Sequence, residues 1–150
     1  MSSRIGLARI LIGLGILSTL VSLFETASHV QDSDYVIPSL ADGPRHAQFH
    51  FLRETTGHLG ILIAVALIML QPGSRRTPTL WWVMLILLVG YYGGFWIGYP
   101  VIGVGGPNVP ARIVHTTGTV LGLAGALVAR RCFSSEPGGL AASAAGDRRA

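Results

Sequence analysis

Residues 80–99 read LWWVMLILLVGYYGGFWIGY and contain no charged side chain. A helix rises about 1.5 Å per residue, so a segment of this length crosses the roughly 30 Å hydrocarbon layer of a bilayer. Three other segments have a similar length and character, and the predicted spans are residues 5–24, 51–70, 80–99 and 112–130, approximately. The sequence therefore predicts an all-α integral membrane four-helix bundle.

The composition points to the same class of protein. Of the 150 residues, 50% are hydrophobic and 12% are charged, whereas about a quarter of the residues in an ordinary soluble domain are charged. The formal net charge of +4 comes from arginines that flank the apolar segments. They form no polar basic patch, so we expect the lipid bilayer as a partner and no nucleic acid.

Turn-forming residues separate the predicted spans. Residues 71–74 (QPGS) end the second span, and Pro100 ends the third ahead of a Gly/Pro loop at 103–110. The sequence Asp42-Gly43-Pro44 is typical of a helix start, with Asp42 as the capping residue. The second helix is therefore expected to begin near residue 44, outside the bilayer.

The chain is expected to hold a single domain. All four predicted spans fall within residues 1–133, a length that suits one domain. Residues 134–150 are rich in Gly, Ala and Ser and are expected to form a disordered cytoplasmic tail.

The arginines predict the orientation of the bundle, because cytoplasmic loops of membrane proteins carry an excess of basic residues. Those on the predicted cytoplasmic side are Arg4, Arg9, Arg75, Arg76, Arg130, Arg131, Arg148 and Arg149. Those on or toward the other side are Arg45, Arg53 and Arg112. Both termini are therefore expected in the cytoplasm, and the chain is expected to be a multi-pass protein of a bacterial inner membrane.

The histidines gather at the predicted outer end of the spans. His46, His50, Glu54 and His58 recur at every fourth position, so they form a slanting row along one face of the second helix. His46 and His58 are separated by about 18 Å of helix rise, too far for one site. A closed site therefore needs another helix, and counting residues from the cytoplasmic ends places His115 at the depth of Glu54 and His58.

Ionisable side chains inside a membrane usually serve a function, because burying them in hydrocarbon costs several kcal/mol. The sequence thus predicts a membrane enzyme that acts on a lipophilic small molecule by acid–base chemistry, such as isomerisation, hydration or cyclisation. The predicted catalytic residues are Glu54, His58 and His115, with His50 at the pocket mouth. The predicted substrate-binding residues are Tyr91, Tyr92, Trp96 and Thr116.

Three alternatives remain open at this point. The same row could hold a transition metal, with His50, Glu54, His58 and His115 as ligands and hydrolytic or oxidative chemistry. A haem could lie between His58 and His115 in a redox subunit. Polar residues can also join membrane helices without any chemistry.

Glycines suggest a further alternative, a non-catalytic accessory or transport-related subunit. Gly90, Gly94 and Gly98 form one row at helical spacing, and Gly118 with Gly122 forms another. Such rows allow close approach of helices. They could support a homo-oligomer or a larger membrane complex.

Two family resemblances accompany these predictions. The four spans, with both termini on the cytoplasmic side, resemble the DoxX-like bacterial membrane proteins, and this resemblance covers the spans through their architecture. The cluster of Glu54 and histidines among aromatic helices is similar in kind to the site of emopamil-binding-type sterol isomerases. The first resemblance implies a small four-span bundle, and the second implies isomerase-type chemistry.

Overall fold

The fold is built from long helices. The computed structural model describes residues 2–39, 43–105 and 108–134, and in this part of the chain every regular element is helical. The helices are α1 (Ser2–Ser28), α2 (His46–Leu70), α3 (Pro78–Ile102) and α4 (Val109–Ala129), with short 3₁₀ turns at His29–Gln31, Ser33–Tyr35, Gly73–Arg75 and Arg130–Cys132. The predicted all-α class is therefore confirmed for the described residues. The predicted tail lies outside them from residue 135 onward.

Each of these four helices is long and apolar enough to cross a membrane. Large hydrophobic side chains cover their outer surfaces; Phe24, Leu70 and Ile86, for example, are 79%, 66% and 66% exposed. Lipid chains can cover such a surface, because its side chains are apolar and the backbone groups in a helix interior are hydrogen-bonded within the helix. The described part of the chain thus has the make-up of a multi-pass membrane protein.

Side-chain caps fix where α3 and α4 begin. Thr77 Oγ1 accepts a hydrogen bond from the backbone N–H of Leu80 at 3.3 Å. Asn108 Oδ1 accepts one from the backbone N–H of Ala111 at 2.8 Å. Each cap is followed by a proline in the first turn, where the missing N–H costs nothing. Because of its cap, α4 begins inside the predicted 103–110 loop.

The third helix extends past Pro100, where the third span is predicted to end. α3 continues through Pro100 to Ile102 and ends where Gly103 adopts the left-handed conformation, with φ 70°. The N–H of Gly103 donates to the carbonyl oxygen of Tyr99 at 2.9 Å and closes the helix. Pro100 removes one backbone donor close to the end of the helix, a loss that membrane helices tolerate.

The second helix begins two residues later than expected. Gly43 and Pro44 form a turn in which the N–H of His46 donates to the carbonyl oxygen of Gly43 at 3.0 Å. Arg45 precedes the helix without a capping side-chain hydrogen bond. The predicted cap, Asp42, lies outside the described residues. The turn thus replaces the predicted first helical residues.

Consecutive helices are antiparallel neighbours, and α4 closes the ring against α1. Arg9, near the start of α1, donates from Nε to the carbonyl oxygen of Met69 at the end of α2, at 3.1 Å. Trp81, near the start of α3, donates from Nε1 to the carbonyl oxygen of Ala126 near the end of α4, at 2.8 Å. We call this the arginine-rich end; its arginines are Arg4, Arg9, Arg75, Arg76, Arg130 and Arg131. The opposite, histidine-rich end carries His29, His46, His50, His58 and His115.

The most extensive helix interface joins α1 and α4. A Cβ atom added to Gly15 would lie 3.0 Å from the backbone N of Gly122 and 3.3 Å from the carbonyl oxygen of Gly118. One added to Gly125 would lie 2.6 Å from Cγ1 of Ile12. The predicted glycine row of Gly118 and Gly122 is therefore occupied within the chain, and it offers no free face for another subunit.

The apolar core fills the arginine-rich half of the bundle. Its buried members include Ala8, Ile12, Val65, Met69, Trp81, Met84, Leu88, Ala126, Ala129, Cys132 and Phe133. The buried polar side chains of the described residues, Thr19, Ser22 and Gln48, lie toward the histidine-rich end. The bundle thus has a tightly packed apolar half and a polar half.

Candidate functional site

The polar half of the bundle contains a cavity of about 250 Å³ to which all four helices contribute. The lining residues are Ser22, Leu23 and Thr26 of α1, Glu54 and His58 of α2, Gly90, Tyr91, Gly94 and Phe95 of α3, and His115 of α4. The volume lies just below the 300–1,000 Å³ typical of ligand pockets. The cavity therefore suits a small ligand or one end of a longer molecule.

Glu54 and His58 form one wall of the cavity, one helical turn apart on α2. The Glu54 Oε1 and His58 Nδ1 atoms are 3.8 Å apart. This distance is too long for a direct hydrogen bond and short enough for electrostatic pairing when the imidazole is protonated. The His58 side chain is 28% exposed and that of Glu54 is 53% exposed. The carboxylate thus lies toward the opening and the imidazole lies deeper.

His115 forms the facing wall on α4, and its ring is held on two sides. Ser22 Oγ lies 2.9 Å from His115 Nε2, within hydrogen-bond distance. The Phe95 ring stacks on the imidazole, with centroids 3.8 Å apart and planes 19° apart. Contacts from α1 and α3 thus fix the orientation of a side chain carried by α4.

The sequence prediction missed Ser22 and Phe95. A signal for Ser22 was present, because Thr19, Ser22 and Thr26 recur every three to four residues in an otherwise apolar helix. Residues at this spacing share one helix face. Phe95 carried no comparable signal, since aromatic residues surround it in the sequence.

The predicted substrate-binding residues separate into two groups. Tyr91 lines the cavity, and its ring packs edge-on against His58 with centroids 4.5 Å apart. Tyr92 is buried behind the cavity wall, where its hydroxyl lies 3.3 Å from Thr19 Oγ1 and its ring contacts Gly122. Tyr92 therefore supports helix packing in this structure.

Trp96 and Thr116 are also not part of the cavity lining. Trp96 Nε1 donates to Thr119 Oγ1 at 3.2 Å, and its side chain is half-exposed on the outer surface. Thr116 is exposed, and its hydroxyl donates to the carbonyl oxygen of Arg112 at 2.7 Å. Helical depth places these residues near the cavity, but the direction of each side chain depends on how α3 and α4 are rotated.

His50 belongs to a separate cluster near the start of α2. Its Nε2 lies 2.9 Å from the Nε2 of His46, and Arg53 donates to its Nδ1 at 3.0 Å. His50 does not line the cavity. The structure thus brings Glu54, His58 and His115 together at one cavity and leaves His50 outside it.

The connection after α1 packs against the start of α2. His29 lies 3.8 Å from Asp32, measured between Nδ1 and Oδ2, and its ring contacts both Tyr35 and Phe51. Gln48 Nε2 donates to the carbonyl oxygen of Asp32 at 2.9 Å. These contacts hold the connection over the histidine-rich end.

The cavity contains a limited set of donors for a metal. Across residues 2–39, 43–105 and 108–134, no three His, Cys, Asp or Glu side chains are grouped closely enough to hold a metal ion. The predicted set is divided, because His50 lies outside the cavity and Nε2 of His115 is hydrogen-bonded to Ser22. The arrangement places one carboxylate and two imidazoles around a small polar space, which suits proton transfer.

Comparisons with protein families, with curated proteins and with solved structures give no match for this chain. The resemblances to DoxX-like proteins and to emopamil-binding-type isomerases therefore stay predictions.

Proposed function

We propose that the protein is a small membrane enzyme that performs acid–base chemistry on a lipophilic molecule. The observation that carries the proposal is the convergence of Glu54, His58 and His115 on one cavity that all four helices line. Ionisable side chains at membrane depth usually mark a functional site. Two of these groups belong to α2 and the third to α4, so a bound molecule would lie between them.

The two facing walls of the cavity would carry out different proton transfers. Glu54 acts as the base that removes a proton from the substrate, and the neighbouring His58 imidazole, 3.8 Å away, stabilises the carboxylate when protonated. His115 acts from the facing wall as the acid that returns a proton at another position. Such a pair of proton transfers accomplishes an isomerisation. In a hydration Glu54 instead removes a proton from the attacking water, and His115 protonates the other carbon of the double bond.

The fixed orientation of His115 supports its proposed role. A catalytic acid must lie within hydrogen-bond reach of the atom that it protonates. Ser22 and Phe95 hold the imidazole from two sides, at 2.9 Å and at a ring separation of 3.8 Å. A side chain that only joined two helices would need the hydrogen bond but not a position on the cavity wall.

We also propose that the histidine-rich end faces away from the cytoplasm. The support is the excess of arginines at the opposite end. With this orientation both termini are cytoplasmic, and the cavity opens toward the outer leaflet of a bacterial inner membrane. A lipophilic substrate would then reach the site from that leaflet.

The experiment compares lipid extracts from cells that produce the wild-type chain, Glu54→Gln or His46→Ala in a strain lacking the gene. We expect the wild type and His46→Ala to convert one lipophilic species into a product of equal mass or of mass increased by one water. Glu54→Gln is expected to slow this conversion by about a hundredfold or more, as loss of an acid–base group does. Liquid chromatography with mass spectrometry measures both species.

His46→Ala is the matched control, since His46 lies on α2 and outside the cavity. Expression and thermal unfolding of each variant are measured in parallel. If Glu54→Gln produces the same lipid profile as the wild type while remaining folded, the proposed enzyme is excluded. If Glu54→Gln fails to fold, Glu54→Asp is used instead, because it keeps the carboxylate but moves it away from the substrate by one methylene group. A folded Glu54→Asp variant with unchanged turnover would contradict the proposed geometry.

A further inference from the structure

A groove of about 500 Å³ lies beside the cavity, between α3 and α4 at the histidine-rich end. Its lining residues are Phe95, Trp96, Tyr99, Pro100, Gly105 and Arg112. Phe95 lines both spaces, and its ring stacks on His115. One aromatic side chain thus separates the groove from the proposed catalytic imidazole.

Arg112 places a positive charge at this aromatic groove. Within the described residues the Arg112 guanidinium makes no hydrogen bond or ion pair. The backbone carbonyl oxygen of Arg112 accepts a hydrogen bond from the Thr116 hydroxyl at 2.7 Å. Arg53, at the same end, instead donates to His50 at 3.0 Å. A guanidinium beside apolar walls favours an anionic partner, with which it forms charge-assisted hydrogen bonds.

We infer that the groove binds a single-chain lipophile with a carboxylate head, with the head on Arg112 and the chain against Trp96 and Tyr99. The inference rests on the proposed function, since it names the class of substrate that would reach the cavity. Charge balance favours a singly charged head such as a carboxylate over a phosphate monoester, because one guanidinium neutralises one negative charge. A phosphate monoester carries about −1.5 to −2 and would leave uncompensated charge in an apolar groove.

The spacing of residues along α4 indicates at which part of the bound lipophile the proposed reaction would occur. Arg112 and His115 are three residues apart, which is about 4.5 Å of rise on nearly the same helix face. For a molecule anchored at Arg112 in the groove, the part next to the head therefore lies nearest to Phe95 and to the His115 imidazole stacked behind it. The reacting carbon lies near the carboxylate and not near the far end of the chain.

Tryptophan fluorescence tests the inference directly. The full-length protein is placed in nanodiscs of zwitterionic phosphatidylcholine and titrated with a brominated fatty acid or the corresponding brominated alcohol. Bromine quenches a nearby indole, and Trp96 lines the groove, whereas Trp81 and Trp82 lie at the arginine-rich end. We expect the brominated acid to quench the fluorescence of the wild type in a saturable way. This saturable quenching should be absent in Trp96→Phe and present in Trp82→Phe.

Arg112→Gln is the decisive variant, and Arg53→Gln is its matched control. Arg112→Gln is expected to weaken binding of the acid by about tenfold or more, as loss of a charged hydrogen bond does, and to leave binding of the alcohol unchanged. Arg53→Gln is expected to change neither. Equal affinity of wild type and Arg112→Gln for the acid, or quenching that persists in Trp96→Phe, would overturn the inference.

Two further measurements distinguish a fatty acid from a phospholipid as the groove ligand and separate this inference from the proposed enzyme. If phosphatidylglycerol in the nanodisc displaces the acid at equal mole fraction, a lipid phosphodiester occupies the groove and the inference is wrong. Glu54→Gln is expected to bind the acid like the wild type, because Glu54 does not line the groove. If binding of the acid depends on Arg112 but no lipid conversion depends on Glu54, the inferred groove ligand is supported and the proposed enzyme is refuted. If conversion depends on Glu54 but binding of the acid does not depend on Arg112, the proposed enzyme is supported and the inferred groove ligand is refuted.

Discussion

At the scale of single residues, two serines of α1 make similar hydrogen bonds to α4 with different consequences. Ser18 Oγ donates to the carbonyl oxygen of Val114 at 2.9 Å. Ser22 Oγ lies 2.9 Å from the ring nitrogen Nε2 of His115. The first bond joins two helices, and the second also orients a side chain at the cavity. The pair therefore allows helix packing and site geometry to be tested separately.

Ser22→Ala is expected to lower turnover by about tenfold to a hundredfold, because small misplacement of a catalytic group has effects of this size. Its cost in stability is expected to be about 1 kcal/mol, the net value of a typical hydrogen bond. Turnover of the lipid species and the ¹⁵N shifts of the His115 imidazole measure the two effects. Ser18→Ala is the control and should show the stability loss alone; equal turnover in both variants would contradict the role of Ser22.

At the scale of helices, the α1–α4 interface depends on small residues. Gly15 contacts the backbone of α4, whereas Gly13 on the same helix has open space where a Cβ would lie. Adding one methyl group therefore has opposite consequences at two positions of one helix. The contrast follows from the rotation of α1 about its own axis, which the sequence pattern of small residues does not specify.

Gly15→Ala is expected to destabilise the bundle by about 1–3 kcal/mol, since an added methyl would force the two backbones apart. Gly13→Ala is expected to stabilise it by about 0.5–1 kcal/mol through helix propensity alone. Unfolding by sodium dodecyl sulfate, followed by circular dichroism, measures both. A neutral Gly15→Ala variant would show that α1 and α4 do not approach as described.

At the scale of the whole molecule, the bundle is divided between its two ends. The arginine-rich half is packed with apolar side chains, and the histidine-rich half contains the cavity and the buried polar groups. This division separates the part that stabilises the fold from the part proposed to carry chemistry. The orientation in the membrane would therefore determine from which side the proposed substrate enters.

The proposed orientation is tested with single cysteines in a Cys132→Ala background. Ser33→Cys lies on the connection after α1, and Ser74→Cys lies on the connection between α2 and α3; both positions are exposed. In intact cells a membrane-impermeant maleimide is expected to label the first variant and to label the second only after lysis. The reverse pattern would place the cavity on the cytoplasmic side.

Individual residues show how far sequence reasoning reached into the site. The four-residue spacing of Glu54 and His58 on one helix was sufficient to place them side by side, as the structure confirms. Tyr92, Trp96 and Thr116 have the right depth but point elsewhere. Depth follows from counting along a helix, whereas direction depends on how each helix is rotated against its neighbours.

The sequence alone determined the helical class and the four segments able to cross a membrane, because length and hydrophobicity are properties of each segment by itself. It also determined that Glu54 and His58 share a helix face, since helical periodicity is local. Only the tertiary structure decided that His115 faces them across a cavity, that Ser22 and Phe95 hold it, and that His50 lies outside. These outcomes depend on the rotation and contact of separate helices, which the side chains of all four determine together.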